Sequence, residues 1–218
     1  RSFRVNEREA DLLISRSGVE PDRIRVIPPL IPAPAPAIRQ FEGRATFVFL
    51  GLLSLPHNDD GIRSFIANVW PLVLTRRRDA TLRIIGRSPR PELLTLVSKF
   101  ASSVALEGYV PDLNQALNGA AALINPLRFG SGIKLKVIEA LGRGLPVVST
   151  SLGAENFDTG PEAGILVSDE PAQLADYMCS LLAPAQNTQF SNAARSHFAA
   201  KYSREAVFKA YDSAFALG

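Results

Sequence analysis

The residues best suited to binding a charged ligand lie in one glycine-containing loop. Residues 125–146 read NPLRFGSGIKLKVIEALGRGLP. Glycine lets a backbone approach a ligand closely, and amides at the start of a following helix point toward an anion, to which nearby lysines add positive charge. The pattern therefore predicts a phosphate or diphosphate site made by Gly130, Ser131, Gly132, Ile133, Lys134 and Lys136. The alternative is an ordinary turn whose lysines are solvated.

Glu139 is the carboxylate that follows this loop. We expect it two turns into the helix, where it could accept hydrogen bonds from ribose hydroxyls if a diphosphate occupies the helix start. A plain surface glutamate is the alternative. Other nucleotide motifs are missing from the sequence, because Gly-Ser-Gly lacks the third glycine of the dinucleotide motif and no Gly-Lys-Ser/Thr run ends a phosphate-binding loop. This argues against a dehydrogenase and an NTPase.

The elements that must position these residues are short apolar runs alternating with segments of helical length. Such alternation predicts an α/β fold, a Rossmann-like parallel sheet of about six strands with helices on both faces. The predicted strands are 46–53, 81–86, 104–110, 121–127, 146–150 and 164–168. Ligands bind outside the carboxyl ends of such strands, and the glycine loop follows the fourth one. Three more helices are expected to begin near Pro171, near Gln189 and at Ser203.

The first 43 residues have a different organisation. We expect a short helix that Asn6 caps, with Glu9 at the capping-box position and Gly18 as its stop. The proline-rich run at 28–36 can neither continue a helix nor pair in the centre of a sheet. We therefore predict that residues 1–43 are the tail of a missing N-terminal domain plus a linker, that 44–183 form the ligand-binding domain, and that 184–218 are C-terminal helices.

Composition limits the partners. A net charge of +3 and a pI near 9.2 suit a small anionic ligand or loose contact with an anionic membrane, and fall short of a nucleic-acid-binding surface. The single cysteine, Cys179, excludes an internal disulfide, and no Cys/His cluster has metal-ligand spacing. No apolar run has the roughly 18 to 20 residues that span a bilayer. We expect a cytoplasmic protein without a metal ion.

Several short motifs, in this order, resemble the C-terminal domain of family 4 (group 1) glycosyltransferases. They are FLG at 49–51, IIG at 84–86, GYVPDL at 108–113, and the glycine loop leading to EA at 139–140 and GLPVV at 144–148. The resemblance covers about residues 46 to 183. It implies the GT-B architecture of two Rossmann-like domains, in which the C-terminal one binds a nucleotide-sugar donor and the N-terminal one, missing here, binds the acceptor.

The resemblance also implies roles for individual residues. Glu139 matches the second glutamate of the family's Glu-seven-residues-Glu motif, which holds the ribose, while Ser131 stands in place of the first. The family's Arg and Lys after the first strand are replaced by residues 52–60, so the diphosphate charge falls to Lys134 and Lys136. His57 and Asn58 are weak supplements to this charge, and Gly51 is a further candidate contact. The contacts implied for the base are Gly86, Arg87, Tyr109 and Val110.

The implied activity is transfer of a sugar from a UDP- or GDP-sugar, with retention and without a metal ion or cofactor, to a glycan or lipid-linked acceptor in polysaccharide biosynthesis. This chain would be the donor-binding part and catalytically silent alone, with peripheral membrane contact at the inner face compatible with its charge. No catalytic residue is assigned. The alternatives are a diverged, non-catalytic binding module and another GT-B enzyme such as an epimerase. We interpret His197 as a structural residue. We interpret the run from Arg76 to Arg78 as a solvated helix end.

Overall fold

The computed structural model describes residues 2–4, 7–21, 24–31 and 41–216. Its strands are β1 Ser2–Arg4, β2 Ile24–Val26, β3 Thr46–Leu50, β4 Thr81–Ile85, β5 Val104–Gly108, β6 Ala122–Asn125, β7 Val147–Ser149 and β8 Ile165–Val167. Its helices are α1 Glu7–Ser17, α2 Pro56–Asn68, α3 Trp70–Arg76, α4 Pro91–Ser98, α5 Leu113–Leu117, α6 Leu135–Gly142, α7 Pro171–Ser180, α8 Pro184–Lys201 and α9 Arg204–Ala216. A single 3-10 turn, Pro161–Ala163, precedes β8.

Strands β3 to β8 form one parallel sheet in the order β5-β4-β3-β6-β7-β8. This confirms the predicted Rossmann-like sheet of about six strands. Each strand is shorter than predicted; β6 ends at Asn125, because Pro126 has no N–H to donate to the ladder. The strand order reverses between β3 and β6, and such a switch point leaves a crevice at the carboxyl ends of the strands.

Two hydrophobic cores cover the two faces of the sheet. The central strand β3 shows the division, because Phe47 and Phe49 belong to one core and Val48 and Leu50 to the other. The first core packs α2, α3 and α7 on one face, with Trp70 fully buried and its indole N–H donating to Ser103 Oγ at 3.0 Å. The second core packs α5, α6 and α8 on the opposite face. The prediction of helices on both faces is confirmed, and a rigid two-sided sheet carries the loops.

The N-terminal part forms a separate two-stranded parallel sheet, β1 with β2, beside α1. The predicted helix and its stop are confirmed: α1 ends at Ser17, and the Gly18 N–H donates to the Ile14 carbonyl at 3.1 Å. The capping roles expected of Asn6 and Glu9, and residues 32–40 of the expected linker, lie outside the described residues or side chains. Ile27 at the end of this part packs on Val207 and Ala214 of α9.

The three C-terminal helices are present, but the middle one begins earlier than predicted. Helix α8 starts at Pro184 rather than near Gln189. Proline is favoured in a first helical turn, and buried Asn187 fixes that turn by donating to the carbonyls of Ala121 and Leu181 at 2.9 and 2.8 Å. Helices α7 and α9 start at Pro171 and Arg204, as expected. Within the described ranges, no helix is both long and apolar enough to cross a membrane.

Candidate functional site

A cleft of about 880 Å³ opens at the carboxyl end of the sheet, at the switch point between β3 and β6. Loops that follow β3, β4, β5 and β6 line it, together with the first turns of α2 and α6. The structure places all but one of the predicted site residues on its wall: Gly51, His57, Asn58, Gly86, Arg87, Tyr109, Val110, Gly130, Ser131, Ile133, Lys134, Lys136 and Glu139. Gly132 does not line it. Positions up to 88 residues apart in sequence therefore share one surface.

The floor of the cleft is closed by backbone-to-backbone contact between two strand ends. A Cβ atom at Gly86 would collide with the carbonyl oxygen of Gly51, and a Cβ at Gly51 would lie 2.9 Å from the Asn58 side chain. The Gly51 N–H in turn donates to the Ile85 carbonyl at 3.1 Å. Only glycine fits at both strand ends, so a ligand can lie directly on the ends of β3 and β4.

The glycine loop differs from its predicted form at the helix start. Helix α6 begins at Leu135, so the amides of residues 130–133 are loop amides and the expectation that they open the helix is wrong. The reason is backbone conformation: φ is +115° at Gly130 and +82° at Gly132, which no right-handed helix allows. Glu139 consequently lies about 6 Å along the axis from Leu135, just over one turn into the helix instead of two.

Lys136 lines the cleft and contacts two neighbours, Asn58 and Phe49. Its Nζ donates to Asn58 Oδ1 at 2.8 Å and lies 4.5 Å from the ring centroid of Phe49. Burial, and then repulsion from Lys134, lower the pKa of Lys136 to about 7. The Lys136 amine is therefore partly deprotonated near pH 7, and an anion placed beside it would favour the charged form.

Lys134 is buried and engaged with its own loop. Its Nζ donates to the Gly132 carbonyl at 2.7 Å and lies 3.7 Å from Glu155 Oε2. Gly132 therefore serves to fold the loop around this ammonium, which explains why it is absent from the cleft wall. The two predicted lysines therefore have different electrostatic surroundings. Lys134 lies beside the Glu155 carboxylate, whereas Lys136 lies beside the Asn58 amide and the Phe49 ring.

His57 and Asn58 occupy the first turn of α2, which faces the glycine loop. A Cβ at Gly130 would lie 3.3 Å from the His57 Cβ, so the loop packs closely on this histidine. Burial first, and then the charges of Lys136 and Lys134, lower the pKa of His57, which keeps its ring neutral at pH 7. Asn58 is buried and uses both ends of its amide, since its Nδ2 donates to the Leu52 carbonyl at 3.1 Å.

The opposite wall is built from the ends of β4 and β5. The guanidinium of Arg87 lies 4.6 Å from the ring centroid of Tyr109, whose side chain is 64% exposed. Planar groups of this kind can stack on a nucleobase. Glu139 of α6 also lines the cleft and is paired with Arg143, the residue directly after the end of α6.

Sequence reasoning missed a set of mostly apolar wall residues: Leu50, Leu52, Leu55, Ile85, Ser88, Gly108, Leu113, Leu127 and Leu135. Leucines at strand ends cannot be told from core residues by periodicity. Leu52, Leu55 and Leu135 are exposed in the structure. Their position next to the predicted glycine sites was a sequence signal that could have assigned them to the cleft, because large apolar residues grouped on a surface often mark a binding site.

Two further predictions, for His197 and for the run from Arg76 to Arg78, concern residues outside the cleft. His197 is buried, its Nδ1 is 3.1 Å from the Ala163 carbonyl and it does not line the cleft, as expected of a structural residue. Helix α3 ends at Arg76, and the run is more paired than predicted, because Arg76 and Arg77 contact Asp176 and Asp79 at 2.9 and 2.8 Å.

A family model described as group 1 glycosyl transferases matches residues 44–184. An uncharacterized 44.6 kDa protein in the cps region of Klebsiella pneumoniae is 27% identical over 137 residues, which are 60% of this chain and 35% of that protein. Thus the chain spans only about a third of this relative's length.

Among solved structures, the chain is similar to a mutant of S. aureus TarM in complex with Fondaparinux, alpha-GlcNAc-glycerol and UDP. The TM-score is 0.82 at 19% identity, over 98% of this chain and 43% of TarM. It is also similar to WaaG, described as a glycosyltransferase involved in lipopolysaccharide biosynthesis, with a TM-score of 0.73 at 17% identity over 98% of this chain and 62% of WaaG. At such identities the structural matches establish the fold alone.

Proposed function

Because the chain belongs to the group 1 glycosyl transferases, we propose that it forms the nucleotide-sugar-binding half of a GT-B enzyme that transfers a sugar with retention. The observation that carries the proposal is the single cleft that joins the lysine-bearing loop, Glu139 and the Arg87–Tyr109 wall. The UDP named with the TarM structure supports a nucleoside diphosphate as the leaving group. A UDP- or GDP-sugar is the proposed donor, and no cofactor or metal ion is required.

The geometry suggests an orientation for this donor. The diphosphate would lie against residues 130–136, the ribose on Glu139 and the base on the Arg87–Tyr109 wall. Ser131 would face the donor sugar from the same loop. As the glycosidic bond breaks, negative charge develops on the leaving diphosphate, and groups already aimed at that charge stabilise the transition state. Lys134, Lys136 and the first amides of α6 would supply this stabilisation.

The rest of the enzyme would supply the acceptor site. The chain covers 43% of TarM and 62% of WaaG, and WaaG is described as a glycosyltransferase involved in lipopolysaccharide biosynthesis. A glycan or lipid-linked acceptor in polysaccharide synthesis, in the cytoplasm at the inner face of the membrane, is therefore the proposed setting. We expect this chain alone to transfer no sugar; turnover of UDP-glucose or GDP-mannose by the isolated chain would contradict that expectation.

Calorimetric titration of the chain with UDP and with GDP tests the proposal directly. One of the two is expected to bind, and Glu139→Ala and the double variant Lys134→Ala/Lys136→Ala should each weaken it by about 1 to 3 kcal/mol, the cost of losing charged hydrogen bonds. Lys99→Ala, an exposed lysine outside the cleft, is the matched control and should bind as the parent does. Equal affinities in all variants would place the nucleotide elsewhere.

A diverged, non-catalytic module is the second candidate. The observation in its favour is the state of Lys134, whose ammonium already contacts the Gly132 carbonyl and the Glu155 carboxylate. Together with Ser131 at the position of the family's first glutamate, this leaves less positive charge for a donor. Absence of binding to both UDP and GDP in the titration would favour this candidate.

A further inference from the structure

We propose that Arg143 is a positioning residue that fixes the Glu139 carboxylate for recognition of a ribose hydroxyl and connects it to the base-side loop. The inference rests on the proposed function, since it assigns Glu139 to the ribose. It adds a residue on the far side of Glu139 that does not line the cleft itself.

The first observation is a two-point contact between Glu139 of α6 and Arg143, the residue directly after the end of α6. Arg143 Nη1 donates to Glu139 Oε2 and also to the Glu139 backbone carbonyl, at 2.9 Å for the latter. The two residues are four apart on the helix, and their side chains are only 14% and 22% exposed. A partly buried pair held at both the carboxylate and the backbone restricts rotation of the glutamate, unlike a surface ion pair.

The second observation extends this contact to another loop. Arg143 Nε donates to Asn114 Oδ1 at 2.9 Å, and the Asn114 N–H donates to Asp112 Oδ1 at 2.8 Å. Asp112 caps α5, the helix that directly follows the Tyr109 and Val110 segment of the cleft. A continuous chain of hydrogen bonds therefore joins the base-side segment to Glu139 through a single guanidinium.

As a consequence, the two carboxylate oxygens of Glu139 have different roles. Arg143 occupies Oε2, which leaves lone pairs on Oε1 for a hydroxyl donor in the cleft. The guanidinium also offsets the negative charge of Glu139, which would otherwise repel a diphosphate bound along the same helix. Loss of Arg143 should then damage hydroxyl recognition in particular, not only overall affinity.

The test compares ribose and deoxyribose nucleotides on the whole chain. UDP and 2′-deoxy-UDP, and GDP and 2′-deoxy-GDP, are titrated against the parent, Arg143→Met, Arg143→Lys and Asn114→Ala. We expect the parent to prefer the ribose form by about 10-fold or more, the range of one charge-assisted hydrogen bond. In Arg143→Met this preference should fall to within about 3-fold, and Arg143→Lys and Asn114→Ala should be intermediate.

Arg63→Met is the matched control, because Arg63 forms the same i,i+4 pair with Asp59 on α2 and neither residue lines the cleft. It should lower stability yet keep the ribose preference. If Arg143→Met weakens both nucleotide forms by the same factor, Arg143 is merely structural and the inference is overturned. The same holds if the parent binds nucleotides without preferring ribose. Should Arg143→Met fail to fold, Arg143→Lys and Asn114→Ala decide, and an unchanged preference in both overturns the inference.

The two proposals fail in different ways. No binding of UDP or GDP to the parent would reject the proposed function and the role of Arg143 with it. Binding with a ribose preference that survives every Arg143 and Asn114 variant would reject only the positioning role.

Discussion

Replacing Lys136 by methionine should remove a pH-dependent part of the protein's stability. Burial lowers the pKa of Lys136 to about 7, whereas in the unfolded chain this lysine has its ordinary pKa of 10.5. Between these values the unfolded chain binds more protons than the folded one, so the free energy of unfolding rises with pH. Integrating the linkage from pH 7 to pH 9 gives a rise of about 2 kcal/mol from this one group.

Urea denaturation of the parent and of Lys136→Met at pH 7, 8 and 9 measures this effect. The lost contact between Lys136 Nζ and Asn58 Oδ1 shifts the variant by a constant amount, and titrating groups that Lys136 does not influence act equally in both proteins. His57, whose pKa Lys136 helps to lower, titrates mainly below this pH range. The difference between the two slopes therefore isolates Lys136. Lys99→Met, which alters an exposed lysine directly after the end of α4, should keep the parental slope. If the free energy of unfolding rises equally with pH in the parent and in Lys136→Met, Lys136 is not a buried, partly deprotonated amine.

Three further predictions follow from the same groups. Nucleotide binding at pH 8 should be accompanied by proton uptake in the parent and not in Lys136→Met, because a bound anion favours the charged form of Lys136. Calorimetry in buffers of different ionisation enthalpy measures the uptake, and the same uptake in both proteins would contradict this prediction. His197→Gln should reduce the loss of stability on acidification below about pH 6.5, because burial lowers the pKa of His197 and the unfolded chain therefore takes up protons first; melting temperatures from pH 7.5 to 5 test this. Gly86→Ala should cost roughly 2 to 4 kcal/mol of unfolding free energy in urea and weaken nucleotide binding, because its Cβ collides with the Gly51 carbonyl, and an unchanged midpoint would show that the strand ends relax freely.

The sequence was sufficient to predict the sheet and the position of the cleft. Parallel strands bring their carboxyl ends to one edge, so glycines and lysines that follow separate apolar runs had to meet there. That rule needs only the order of elements along the chain, and it placed the glycine loop at this edge; the resemblance to the glycosyltransferase family added residues as distant as Gly51, which also line the cleft.

Details that depend on backbone conformation or on distant partners could not be predicted. The start of α6 at Leu135 depends on positive φ angles at Gly130 and Gly132. The sequence does not predict these angles, because glycine adopts positive and negative φ about equally well. The contact of Lys136 with Asn58 spans 78 residues of sequence, and that of Arg143 with Asn114 spans 29. No local pattern contains such pairings, because only the packed structure brings these side chains together.

The backbone contact at the floor of the cleft also sets the tolerance of this protein to laboratory evolution. A side chain at Gly86 would have to move the carbonyl of Gly51, and one at Gly51 would have to displace the buried amide of Asn58. The exposed positions around them, Leu52, Leu55 and Tyr109, contact little of the core and can be randomised at small cost in stability. A library confined to those rim positions would explore altered nucleotide preference while every member keeps the same platform, whereas one that includes the two glycines would consist mainly of misfolded chains.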